Sequence, residues 1–247
     1  MKVNFLGTGT MGSSRKNTSF VINNHVLVDI GNGALNALRD CGLDTIDINT
    51  MLITHFHCDH FGDIINYLWR FKVKHITGKE DLICKDHRLK IIGPIGLKDK
   101  VRQLKELFFP KPDLDYIEML SSHIEFIELD YNESFQNEKL RVEAFEVNHV
   151  GQCNGYLIEI DDKKLVYTGD TAMCDSLIVK IAEAYSIIIE AGTISEPVKG
   201  HINLNEVIPL AKQWKDKNFY IVHRRDWNNP IGIENMFFPN DGESIVI

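Results

Sequence analysis

Four imidazole or carboxylate side chains able to bind a metal fall within the six positions His55-Phe56-His57-Cys58-Asp59-His60. They follow Met51-Leu52-Ile53, an apolar run that reads as a short buried strand leading into a loop. Alternate side chains of an extended segment point the same way, so His55 and His57 can converge on one ion. Asp59 and His60 then fall in the next turn, where the chain can fold back toward a second ion. Imidazole and carboxylate donors with little thiolate suit zinc, manganese or iron(II). Cys58 breaks the alternation and reads as a small neighbour, not a ligand. A histidine-rich surface loop ahead of a helix is the plainer reading, but metal ligation accounts better for so dense a cluster.

Further candidates stand where strands end. Glu146-Val147-Asn148-His149 closes a strand over 140–147, and the strand beginning at Lys164 runs into Gly169-Asp170-Thr171. Ser186–Glu190 ends in a carboxylate, and Asn218–Val222 runs into His223. Gly200-His201-Ile202-Asn203 leads into an amphipathic helix over 203–213, with Asn203 as N-cap. Three other histidines, His75, His87 and His123, lack ligand-like neighbours and read as surface or packing residues.

The elements that must position these residues follow from the pattern. Lys2–Gly7 reads as a strand, and the β-rich runs 15–22 and 25–29, separated by Asn23-Asn24, as a hairpin. Gly31-Asn32-Gly33 breaks it ahead of a helix over Ala34–Arg39 that stops near Gly42. Helical spacing covers Phe61–Lys72, then a strand at 89–94, a helix at 97–108, a helix from 113, and strands at 124–129 and 155–160. A helix at about 175–184 and a closing strand at 244–247 complete the pattern. Without a linker, repeat or low-complexity segment, one domain over 1–247 is the economical reading.

With 247 residues, 44% hydrophobic, the chain can bury a substantial core. No apolar run reaches the length of a membrane span, and Met1 leads straight into a strand without a signal peptide. The five cysteines are odd in number and scattered, which favours reduced thiols in a cytoplasmic protein. A net charge of −8 discourages nonspecific nucleic-acid binding. That charge is uneven: residues 70–111 carry 12 Lys/Arg against 5 Asp/Glu, a local +7 that leaves −15 elsewhere. The basic stretch fits an attractor for an anionic substrate and the solvated faces of two helices equally well.

His-x-His-x-Asp-His after a strand resembles the metal signature of the metallo-β-lactamase superfamily, and the resemblance spans nearly the whole chain. Leu6-Gly7-Thr8-Gly9-Thr10, Arg15-x-Asn17-Thr18-Ser19, Leu27-Val28-Asp29-Ile30-Gly31-Asn32-Gly33 and Ile92-Gly93-Pro94-x-Gly96-Leu97 narrow it to ribonuclease Z and its phosphodiesterase relatives. The resemblance implies an α/β fold, a four-layer αββα sandwich with the metals at one edge of two sheets. It assigns His55, His57 and His149 to one ion, Asp59, His60 and His223 to the other, and Asp170 to both. It also makes His201 the proton donor to the leaving oxygen, Glu190 the carboxylate that orients it, and Asp29 a brace for the metal loop. A homodimer is implied as well.

The expected function is metal-dependent phosphodiester hydrolysis. Two divalent ions about 3.5–4 Å apart share a hydroxide that attacks phosphorus, and Asp59 can accept its proton. Zinc is the first candidate, with manganese or iron as alternatives. The chain has no Gly/Pro-rich insertion of the kind that grips tRNA, so a small or cyclic nucleotide stands beside RNA as substrate. Arg224 and Arg225, beside His223, could contact phosphate, although exposed arginines are the plainer reading. Thioester, lactone or other ester hydrolysis at the same metals is the alternative, and a non-catalytic metal scaffold is a third reading. An oxygen-reducing diiron centre is disfavoured, because that branch carries glutamate where this chain has His57.

Overall fold

The computed structural model describes residues 1–76, 87–111, 123–227 and 232–247. One sheet runs β14-β1-β2-β3-β4-β5-β6 and the other β13-β12-β11-β10-β9-β8-β7. The first comprises β1 (Lys2–Gly7), β2 (Ser19–Ile22), β3 (Val26–Val28), β4 (Thr50–Leu52), β5 (Leu89–Gly93), β6 (Ile124–Glu128) and β14 (Ser244–Val246). The second comprises β7 (Ser134–Gln136), β8 (Leu140–Glu146), β9 (Asn154–Ile160), β10 (Lys163–Tyr167), β11 (Ser186–Glu190), β12 (Asn218–Val222) and β13 (Met236–Phe237). Strands β3 to β6 are parallel, as are β10 to β13.

Three apolar layers explain why the central strands are hydrophobic on both faces. Val3, Phe5, Phe20, Tyr156, Tyr167 and Ile188 pack between the sheets. Outside the first sheet, α1 (Ala34–Asp40), α3 (Ile64–Ile76) and α4 (Leu97–Phe108) bury Leu38, Leu68, Phe71 and Val101 against Leu27, Met51 and Ile91. Outside the second, α5 (Asp175–Glu183) and α6 (Leu204–Gln213) bury Leu177, Ile181, Val207 and Ala211 against Leu157, Val166, Ile187 and Phe219. The result is the expected four-layer αββα sandwich.

Two local departures have physical causes. The helix expected from Phe61 is divided into α2 (Cys58–Phe61) and α3, because the Asp63 backbone N–H bonds Ile30 O at 2.9 Å while its carboxylate accepts from the Leu35 N–H at 3.0 Å. Strand β7 was not expected; it is a three-residue edge strand without buried residues, so it leaves no hydrophobic signal. The helix expected from residue 113 and the side chain of His75 lie outside the described residues. Asn203 does stand at the N-cap of α6, and Glu206 accepts from its backbone N–H at 3.0 Å. Among the described residues, no helix is long and apolar enough to cross a membrane.

Candidate metal centre

The carboxyl ends of β4, β10, β11 and β12 and the loop after β8 meet at one edge of the sandwich, where parallel strands commonly present ligand sites. His55 and His57 follow β4, and their side chains do converge: His55 Nε2 is 3.0 Å from His57 Nδ1. His149 Nε2 comes within 3.2 Å of the same His57 nitrogen. Asp170 Oδ2 completes this group, 3.7 Å from His55 Nε2 and 3.9 Å from His149 Nε2. A second group lies behind it. His60 Nε2 and His223 Nε2 are 3.1 and 3.3 Å from Asp170 Oδ1, and Asp59 Oδ2 is 3.3 Å from His223 Nε2. Within each group the donor atoms lie within 4.8 Å of one another, so each could hold an ion. Asp170 offers one oxygen to each. Cys58 is exposed and belongs to neither group.

The donor set fits cations. His60 Nε2 and Asp170 Oδ1 are buried and face each other at 3.1 Å without an aligned hydrogen bond, as expected of donor atoms gathered around a metal position. Burial pushes the His55 imidazole down from its ordinary range. Partial desolvation on the site side, with the His149 ring beside it, lowers the exposed His57 too, which favours the neutral, ligating form of both. At His60 burial also lowers the pKa, but the Asp170 and Asp29 carboxylates reverse this and raise it well above the ordinary value. His223 behaves alike: against burial, Asp170, Asp59 and Glu190 carry it up to about 10. Burial pushes the Asp59 carboxyl up, but its hydrogen bond to His223 and the nearby imidazolium charges hold it below the usual carboxylate range. Without an ion, the carboxylates thus favour the protonated forms of His60 and His223, and a divalent ion would displace those protons.

The outer nitrogens are tied into the fold, which fixes ring orientation. His60 Nδ1 donates to Asp29 Oδ2 at 2.8 Å, and His149 Nδ1 donates to Gly200 O at 2.8 Å. Gly200 has a positive φ of 79°, and a Cβ there would come within 3.0 Å of His149 Nδ1. Asp29 is the brace expected, and more: it also accepts from Thr54 N at 2.8 Å and from Tyr167 Oη at 2.7 Å. His223 adopts a left-handed backbone (φ 54°), a strained conformation that turns its ring inward at the end of β12. Thr54, Tyr167 and the Met11 N–H, which donates to Asp59 Oδ2 at 3.2 Å, escaped the sequence reading because common residue types carry no signal of a distant partner.

His201 and Glu190 also come to the site. His201 Nδ1 is 3.0 Å from Glu190 Oε2 and 3.9 Å from Asp170 Oδ2. The Glu190 hydrogen bond, working against burial, raises the His201 pKa above its ordinary value. Arg224 requires a correction: it is neither exposed nor available to phosphate. It is 1% accessible, its guanidinium lies 5.7 Å from the Trp227 and Phe238 rings, and it donates to Pro239 O. Burial lowers its pKa to about 10. Arg225 is exposed, and with Thr10, Thr193, Ile202, His201 and His223 it lines a small cleft beside the two His/Asp groups.

The family described as anti-Pycsar protein Apyc1 matches residues 1–238. The chain belongs to the Apyc1 family. Beyond that family, it is similar to a ribonuclease Z from Metallosphaera sedula, 22% identical over 278 residues, covering 90% of this chain and 88% of that protein. Among solved structures, the metallo-β-lactamase fold protein YhfI from Bacillus subtilis superposes with a TM-score of 0.77 at 18% identity, covering 99% of this chain and 98% of that one. The short form of human tRNase Z superposes with a TM-score of 0.74 at 22% identity, covering 100% and 99%. The Apyc1-family chain therefore has the metallo-β-lactamase fold and is related to ribonuclease Z.

Proposed function

We propose that this Apyc1-family chain is a metal-dependent phosphodiesterase built as one hydrolase domain over residues 1–247. The observation that carries the reading is Asp170, buried between two His/Asp groups with one oxygen turned to each. His55, His57 and His149 would hold one divalent ion and Asp59, His60 and His223 the other, with Asp170 shared. Zinc suits this nitrogen-rich set best, with manganese and iron as alternatives. The ions would lower the pKa of bound water and neutralise charge developing on a phosphoryl group.

The chain's own residues supply the rest. Asp59, fixed by the Met11 N–H and His223, is placed to take the proton of the attacking water. Glu190 engages His201 Nδ1, leaving Nε2 to carry the proton delivered to the leaving oxygen. His57 is exposed whereas His60 is fully buried, so the substrate approaches from the His57 side.

A phosphodiester is favoured over a thioester because the Glu190–His201 pair serves an alkoxide leaving group, which a thiolate does not need, and over a lactone by the ribonuclease Z relationship. RNA and a small or cyclic nucleotide share this chemistry. The smaller substrate is favoured because connections 129–133, 137–139 and 147–153 between the strands from β6 to β9 are short. Parallel assays with precursor tRNA and 3′,5′-cyclic nucleotides test this. Turnover of cyclic nucleotides is expected, and cleavage of precursor tRNA alone would overturn the size argument. A homodimer belongs to the same reading, and light scattering of the purified protein tests it.

A further inference from the structure

We infer that Glu190 secures the inner metal site through His223, besides orienting His201. This rests on the two-ion reading above. If His223 Nε2 binds the inner ion, its Nδ1 must carry a proton and needs an acceptor. The other buried ligand nitrogens have partners: His60 Nδ1 has Asp29, His149 Nδ1 has Gly200 O, and His55 Nδ1 has Thr54 Oγ1 at 3.0 Å. His223 Nδ1 is buried without a hydrogen bond, and the carboxylate near it is Glu190, whose Oε2 lies 3.5 Å away. That separation is long for a hydrogen bond and short enough to close when the ring is drawn onto an ion.

Glu190 is fully buried at the end of β11, and its Oε1 accepts the Thr171 N–H, one residue from Asp170. Its Oε2 faces two rings that lie parallel, His201 at 3.0 Å and His223 at 3.5 Å, with ring centroids 5.5 Å apart at 6°. One carboxylate therefore serves a ligand ring and a proton-donor ring from the same oxygen. In Glu190→Gln the Thr171 N–H would select the amide oxygen, turning the amide NH2 toward the His223 N–H. The substitution is nearly isosteric, yet it sets donor against donor.

The test is zinc titration against a chromophoric chelator for wild type, Glu190→Gln and His201→Ala, with unfolding of each metal-free protein as the folding control. The expected result is two ions in wild type, one of them weakened about 10–100-fold in Glu190→Gln, and unchanged affinities in His201→Ala. Equal affinities in Glu190→Gln and wild type overturn the inference, as does an equal loss in His201→Ala. A wild type that takes up no second ion contradicts the two-ion reading, and the inference with it. If Glu190→Gln does not fold, NMR of cobalt-substituted wild type decides: the inference requires a shifted His223 Nδ1–H protected from solvent exchange, and free exchange refutes it.

Discussion

At the scale of single residues, the six-position cluster and the distant His201 make separable contributions. A proton donor matters most when the leaving oxygen is a poor leaving group, so His201→Ala should lose about 10²–10⁴-fold in kcat on a ribose alkoxide. On bis(p-nitrophenyl) phosphate, whose phenolate leaves unaided, the loss should be slight. Steady-state kinetics on both substrates checks this; equal losses would make His201 a structural residue. The inner site gives a second expectation. Because the carboxylates raise His60 and His223 above their ordinary values, zinc must displace protons there, and its affinity should rise with pH through the neutral range. Calorimetric titration in buffers of different ionisation heat counts the protons released. No release would contradict ligation by these two rings.

At the scale of elements, the metal loop depends on a close backbone approach. A Cβ on Gly31 would meet Asp59 O at 1.9 Å, while the Ile30 N–H bonds His60 O at 2.7 Å. Gly31→Ala should therefore cost about 1–3 kcal/mol and weaken metal binding, measurable by denaturant unfolding and chelator competition. What could be read in advance follows from distance along the chain. His55, His57, Asp59 and His60 were legible because an extended segment and a turn bring them together locally. Asp29 was legible only through likeness to a family, since its partners Thr54, Tyr167 and His60 arrive from other strands and loops. The burial of Arg224 was not legible, because Phe238 and Pro239, which enclose it together with Trp227, come from a later segment of the chain. Strand β7 and the division between α2 and α3 escaped for the converse reason: backbone hydrogen bonds set them, with little apolar patterning.

At the scale of the whole molecule, the site stitches the two sheets together. Asp29 follows β3 in one sheet and takes the hydroxyl of Tyr167 from β10 in the other, while Tyr156 Oη donates to Ile53 O at 2.6 Å. Metal binding should therefore stabilise the whole fold: zinc at 1,000 times its Kd adds about 4 kcal/mol. Thermal unfolding before and after chelation checks this, and an unchanged Tm would argue against ions shared between the sheets. Within the basic stretch, Arg70 pairs with Asp44, Arg102 with Glu106 and Lys90 with Glu125, which favours solvated helix and strand faces over an anion funnel at these positions. The most direct test of the account is hydrolysis of bis(p-nitrophenyl) phosphate by zinc-loaded protein beside Asp170→Ala. Turnover by the wild type is expected, lost together with metal in the variant. Thioester or lactone turnover without phosphodiester hydrolysis, or full activity in Asp170→Ala, would contradict it.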